Sequence, residues 1–147
     1  ADVRQVCVAA LGQARQRAAL DTIIAAATDV DTEVRINALR ALAELREAGT
    51  LDVCLNALGD DRWEVRSEGA KCLGVLQQPA AAEALGQALK DDAEWVRHNA
   101  ALALVKCGPT GIAVLRAAAA EGNSAAQASL AEARLAPPEV QAATAAA

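Results

Sequence analysis

The chain has 147 residues, enough for one domain with a continuous core, and its 14 Lys and Arg against 19 Asp and Glu give a net charge of -5 that opposes the basic footprint of a nucleic-acid binder. Phe, Tyr and Met are absent, Trp occurs twice and Ala 40 times, so aromatic base-stacking platforms are excluded and the core must be aliphatic and closely spaced. No apolar run approaches the roughly 20 residues of a membrane helix, and the expectation is an all-α, cytoplasmic protein without membrane contact.

In chain order, the first element is a helix opening on Val3-Arg4, with Leu11 seven positions beyond the arginine. It reads as the second helix of a repeat whose first helix is missing. Three gapless copies follow: Asp31 to Leu42, Arg62 to Leu73 and Ala93 to Leu104, a period of 31 residues. In each, Val34, Val65 or Val96 precedes Arg35, Arg66 or Arg97, and Leu42, Leu73 or Leu104 stands seven residues after the arginine. Within a copy Val34, Ala38, Ala41, Leu42 and Leu45 follow the spacing of one helical face. A shorter helix precedes each copy, its stripe carried by Ile23, Ile24 and Ala27, then Cys54, Leu55 and Leu58, then Leu85, Gly86 and Leu89. Breaks fall at Gly49-Thr50, Gln78-Pro79 and Gly108-Pro109 between repeats, and at Asp29, Gly59-Asp60-Asp61, Asp91-Asp92 and Gly122-Asn123 inside them.

The organisation expected is a half repeat at 1–15, repeats at 16–46, 47–77, 78–108 and a degenerate 109–136, then a Pro/Ala-rich tail at 137–147. Nine helices, one unpaired and four antiparallel pairs, stack into a right-handed α-solenoid, because a single pair cannot bury its own apolar face. The unpaired first helix leaves the flank of Val3, Cys7, Ala10, Leu11 and Ala14 bare, so upstream repeats or self-association with a second chain are expected to cover it.

These Asp, Val-Arg, Ala and Leu columns resemble a HEAT-like repeat array, an Armadillo-type helical repeat, of the short bacterial kind named after phycobilisome lyases; the likeness covers residues 2 to 135. The resemblance implies a structural ladder in which Asp29, Asp60 and Asp91 pair with Arg35, Arg66 and Arg97, each Asp six residues before its Arg. It also implies a partner that is another protein, or else a bilin lyase or lyase-chaperone role of the phycobilisome-lyase type. The HEAT-type hydroxylases bind iron through paired His-Glu motifs; His98 is followed by Asn99, which sets that branch aside.

No phosphate loop, nucleophile elbow or paired-carboxylate spacing is present, so no catalytic residue is assigned and no cofactor is expected. Cys7, Cys54, Cys72 and Cys107 are 47, 18 and 35 residues apart with one His in the chain, a pattern without metal spacing. Each shares its column with aliphatic residues, so four reduced thiols filling the core are expected. The reading is a non-catalytic scaffold presenting a concave helical surface to a protein partner. Ile36, Arg40, Ser67, Lys71, His98, Leu102 and Val105 are expected to point away from the core and form that surface, with Trp63 at its edge. Trp63 and Trp95 fit packing over the next repeat or an interface hot spot. Asp and Glu in the turns fit helix capping, or docking of a basic partner.

Overall fold

The computed structural model describes residues 3–6, 8 and 20–135. Among these there is no strand. Residues 3–6 and 8 are helical, and eight bounded α-helices follow: α1 (Leu20–Ala26), α2 (Thr32–Leu45), α3 (Leu51–Ala57), α4 (Trp63–Leu76), α5 (Ala82–Ala88), α6 (Glu94–Lys106), α7 (Pro109–Ala120) and α8 (Ser124–Leu135). Short 3₁₀ turns, Ala48–Thr50 and Pro79–Ala81, lead into α3 and α5. Most of the half repeat at 1–15 and the tail at 137–147 lie outside the described residues. No described helix is long and apolar enough to cross a membrane.

The long helices start where the Asp-rich turns can hold free N–H groups. Asp31 caps α2, its Oδ1 accepting from Glu33 N at 2.9 Å and Val34 N at 3.3 Å. At α6 the cap position is Ala93, without a side-chain bond, and the aspartate works two residues earlier: Asp91 Oδ1 accepts from Ala93 N at 2.9 Å. The helices end differently from expectation. The chain turns at Arg46 (φ 51°), Gln77 (φ 54°) and Gly108 (φ 74°), one column at the 31-residue period, and only the last is glycine. Left-handed backbone at Arg46 gives its N–H to Leu42 O at 3.2 Å, closing α2.

The chain divides into two compact units, residues 1–76 and 77–147. In the first, α1 packs on α2, α3 on α4, and α2 on α4. Val34, Leu39, Leu42, Val65 and Leu73 are almost wholly buried there, with Ile23 from α1 and Cys54 from α3. In the second, α5 packs on α6 and α7, and α6 and α7 pack on α8. Its core holds Leu85, Leu89, Val96, Leu104, Ile112 and Leu115.

Small residues set how closely these helices approach. A Cβ at Gly69 of α4 would stand 2.8 Å from Ala57 Cβ and 3.2 Å from Cys54 O of α3. At Gly111 of α7 it would collide with the backbone carbonyl of Leu104 on α6. The α3–α4 approach also corrects the reading of the cysteines: Cys54 and Cys72, with Cα atoms 6.1 Å apart, form a disulfide. The period aligns each Cys with its own column and is silent on which columns face one another, so the pairing was missed. Cys107 is a buried free thiol whose Sγ donates to Gln78 O at 3.5 Å, and burial pushes its pKa up. Cys7 lies outside the described residues.

Two outcomes are expected. Gly111→Ala should cost on the order of 1–3 kcal/mol or more, because a carbonyl fixed in a helix cannot give way, while Gly49→Ala, with open space around it, should change stability by less than about 0.5 kcal/mol. Equal urea midpoints for the two variants would contradict the close α6–α7 crossing. Alkylation in denaturant should leave Cys54 and Cys72 unlabelled until a reductant is added, as read by peptide mass mapping; label on either beforehand would show free thiols.

Candidate functional site

Each arginine that opens a long helix turns back over the preceding loop. Arg35 Nη1 donates to Asp29 O at 2.9 Å and Val30 O at 3.3 Å; Arg66 Nη1 to Asp60 O at 2.9 Å and Asp61 O at 3.3 Å; Arg97 Nη1 to Asp91 O at 2.7 Å and Asp92 O at 2.8 Å. The contact between an arginine and the Asp six residues before it is therefore made to the peptide carbonyl. The carboxylate contact goes one repeat onward: Arg4 Nη1 to Asp29 Oδ2 at 3.0 Å, and Arg35 to Asp60 through Nε–Oδ2 at 2.9 Å and Nη2–Oδ1 at 3.0 Å. Within a repeat the pairing of Asp29, Asp60 and Asp91 with Arg35, Arg66 and Arg97 thus runs through the peptide carbonyl, and the reason is local. Asp29 Oδ1 and Asp60 Oδ1 accept from Asp31 N and Arg62 N at 2.9 Å, which turns those carboxylates along their own loop. In the last repeat the Asp column holds Gly122 at φ 91°, while Asn123 Oδ1 accepts from Ala126 N at 3.0 Å and Asn123 Nδ2 donates to Leu89 O at 2.8 Å.

The expected outward ridge is only partly outward. Ile36 and Ser67 are buried, at 5% and 6% exposure, because α2 and α4 carry neighbours on their flanks as well as on the core face. Arg40 and Lys71 are about half exposed and share one carboxylate: Arg40 Nη2 and Lys71 Nζ lie 3.0 and 3.2 Å from Glu68 Oε1. Glu68 itself is 9% exposed. Its column is Asn37, Glu68 and Asn99, polar throughout, and that uniform polarity inside an apolar helix pattern was the available signal. His98 is exposed, whereas Leu102 and Val105 are half-buried and offer less apolar surface than expected.

The tryptophans depart furthest from packing across repeats. Trp63 is 42% and Trp95 62% exposed. Both sit in the first turn of a helix, where Cβ points back toward the N-terminus and carries the indole off the helix end. Trp95 and His98 meet edge to face, with centroids 6.0 Å apart and planes at 87°, and together with Glu94 they line a recess of about 340 Å³. Val3 and Val6 of the N-terminal helix are also exposed, at 77% and 68%.

Helix pairs repeating at a fixed period define a helical-repeat protein. A model of HEAT repeats matches residues 1–54 and 51–147, and the chain belongs to the HEAT-repeat family. It is similar to a solved chain in the complex of CpcE and CpcF of phycocyanin lyase from Nostoc sp. PCC7120, at 24% identity and a TM-score of 0.74, covering 97% of this chain and 59% of that one. An engineered protein of known crystal structure is similar at 22% identity and a TM-score of 0.55, covering 86% of this chain and 60% of that one. The chain spans about three-fifths of the length of both. At these identities the likeness is one of fold. No curated protein matches the chain.

The turn chemistry is open to titration. Burial opposes the charge of Asp60, but the Arg62 N–H and the Arg35 guanidinium outweigh it and hold its carboxyl below the ordinary 3.8. A depressed folded value contributes stability that is complete above the unfolded pKa and lost as pH falls through the folded one. Asp60→Asn is therefore expected to lower stability near neutral pH by about 1–3 kcal/mol and to flatten the loss seen below about pH 4. Parallel acid profiles for the two proteins would show that this ion pair does not contribute.

Proposed function

We propose that this protein is a non-catalytic scaffold whose helix-start side chains engage a protein partner. The observation that carries the reading is the exposure of both indoles. A chain without Phe or Tyr has only two large aromatic side chains to bury, yet it leaves Trp63 and Trp95 in solvent. A buried Trp contributes 150–250 Å² of contact, roughly, and Trp and Arg are enriched where alanine substitution costs most binding energy. In residues 1–76 the surface offered is Trp63 with Arg40 and Lys71; in residues 77–147 it is Trp95 and His98, with Leu102 and Val105 half-buried behind them. Membership of the HEAT-repeat family supports protein interaction in general, as does the likeness to a chain found in a two-protein complex.

The second reading, a bilin lyase or lyase-chaperone subunit, draws on that structural neighbour, a chain of a phycocyanin lyase complex. One experiment separates the two. Affinity capture from the native lysate should recover a colourless complex with a defined protein, and Trp63→Ser together with Trp95→Ser should reduce its recovery about tenfold, the equivalent of roughly 1.4 kcal/mol. A visible tetrapyrrole absorbance on the captured chain would favour the second reading. Undiminished recovery by the double variant would remove the indoles from the interface.

A further inference from the structure

We infer that the recess of Glu94, Trp95 and His98 is a socket for a cationic side chain, arginine or lysine, carried on a basic segment of the partner. The inference rests on the scaffold reading and adds the partner's charge to it. A cation is held well over an indole face, more so when a carboxylate lies beside the ring. Trp95 is largely exposed, and its perpendicular contact with His98 braces the ring while leaving most of its surface open. Glu94, next to it on the first turn of α6, is exposed, as is Asp92 in the preceding loop.

The preceding repeat explains what the socket lacks. There the helix starts Arg62-Trp63-Glu64, again with an exposed indole beside a carboxylate, and Arg62 Nε stands 3.9 Å from Glu64 Oε2. One period on, the corresponding triplet is Ala93-Glu94-Trp95. The aromatic and the acid are kept in exchanged order, but the cation has become alanine. Among the described residues none forms an ion pair with Glu94. Arg97, the nearest cation in sequence, has its Nη1 committed to the carbonyls of Asp91 and Asp92. An aromatic face and a carboxylate without a cation of their own, on a chain of net charge -5, fit a basic segment and repel an acidic one.

The test is fluorescence anisotropy of a fluorescein-labelled, amidated tetra-arginine peptide titrated with the full chain. Saturable binding is expected, weakened about fivefold or more by Glu94→Gln and by Trp95→Ala, partly restored by Trp95→Phe, and left within about twofold by Glu83→Gln, an exposed acid on α5. In a Trp63→Phe chain the emission of Trp95 should change over the same concentration range. Far-UV circular dichroism of each variant checks that the helices persist, and Trp95→Phe keeps the test decisive should Trp95→Ala unfold. Equal weakening by Glu83→Gln would mean general attraction to net charge and overturn the socket. So would equal binding of a tetra-glutamine peptide, or an unchanged Trp95 emission. A native partner still captured by Trp95→Ala at full yield would also overturn the socket while leaving the scaffold reading intact; specific peptide binding with no captured partner would do the reverse.

Discussion

A guanidinium bonded to two successive carbonyls of the loop before it recurs at Arg35, Arg66 and Arg97, and the starts of α2, α4 and α6 depend on it. The carbonyls lie five and six residues upstream, at the end of the intra-repeat turn, where no helix ladder can use them. A lysine could not replace this contact, because the remaining edge of the planar fork faces onward while Nη1 is pinned. Arg35 uses that edge for both oxygens of Asp60, so one side chain closes its own turn and holds the next. With the turn held, the first helical residue is placed, and so is whatever side chain occurs there: Trp63 in one repeat and Glu94 in the next.

Close packing is the second constraint, and it explains a composition with 40 alanines and almost no aromatics. Columns such as Ala38, Gly69 and Ala100, or Ala41, Cys72 and Ala103, are small in every copy and fully or nearly buried. Their size lets α3 and α4 approach until Gly69 meets the backbone of α3, and lets Gly111 lie against the carbonyl of Leu104. A large aromatic inside such a stack would force the helices apart, at a cost no local repacking recovers. The two tryptophans instead occupy the helix starts, where this packing leaves room for a large side chain.

The sequence made the period, the helix pairs and the core columns legible, because a 31-residue recurrence of Val, Ala and Leu reports burial directly. It was less informative where identity and conformation separate. Arg46 and Gln77 adopt a positive φ, as Gly108 does in the same column, and nothing about arginine or glutamine announces it. The helical wheel of a single repeat points Ile36 and Ser67 to the surface, whereas a helix beside a neighbouring repeat is covered on its flanks too. The Cys54–Cys72 pairing depends on which columns face across α3 and α4. Glu68, bridging Arg40 and Lys71, could have been suspected from its polar column, but its two partners lie on different helices.

Repeat proteins acquire specificity where copies differ on a shared frame, and the helix starts of α4 and α6 show how little change is needed. Both place an exposed indole beside a glutamate under the same arginine-held turn. In one copy Arg62 accompanies the acid; in the other the column holds Ala93. A change at this position leaves the frame untouched, since residue 62 and residue 93 contribute only their backbone to the turn: Arg62 N and Ala93 N donate to Asp60 and Asp91 alike. Removing a side chain there exposes a carboxylate and an aromatic face without opening a cavity in the core. Such a substitution is nearly neutral for stability and large for surface chemistry, which is why function in this fold is sought at the columns that vary beside a fixed bond rather than at the columns that repeat.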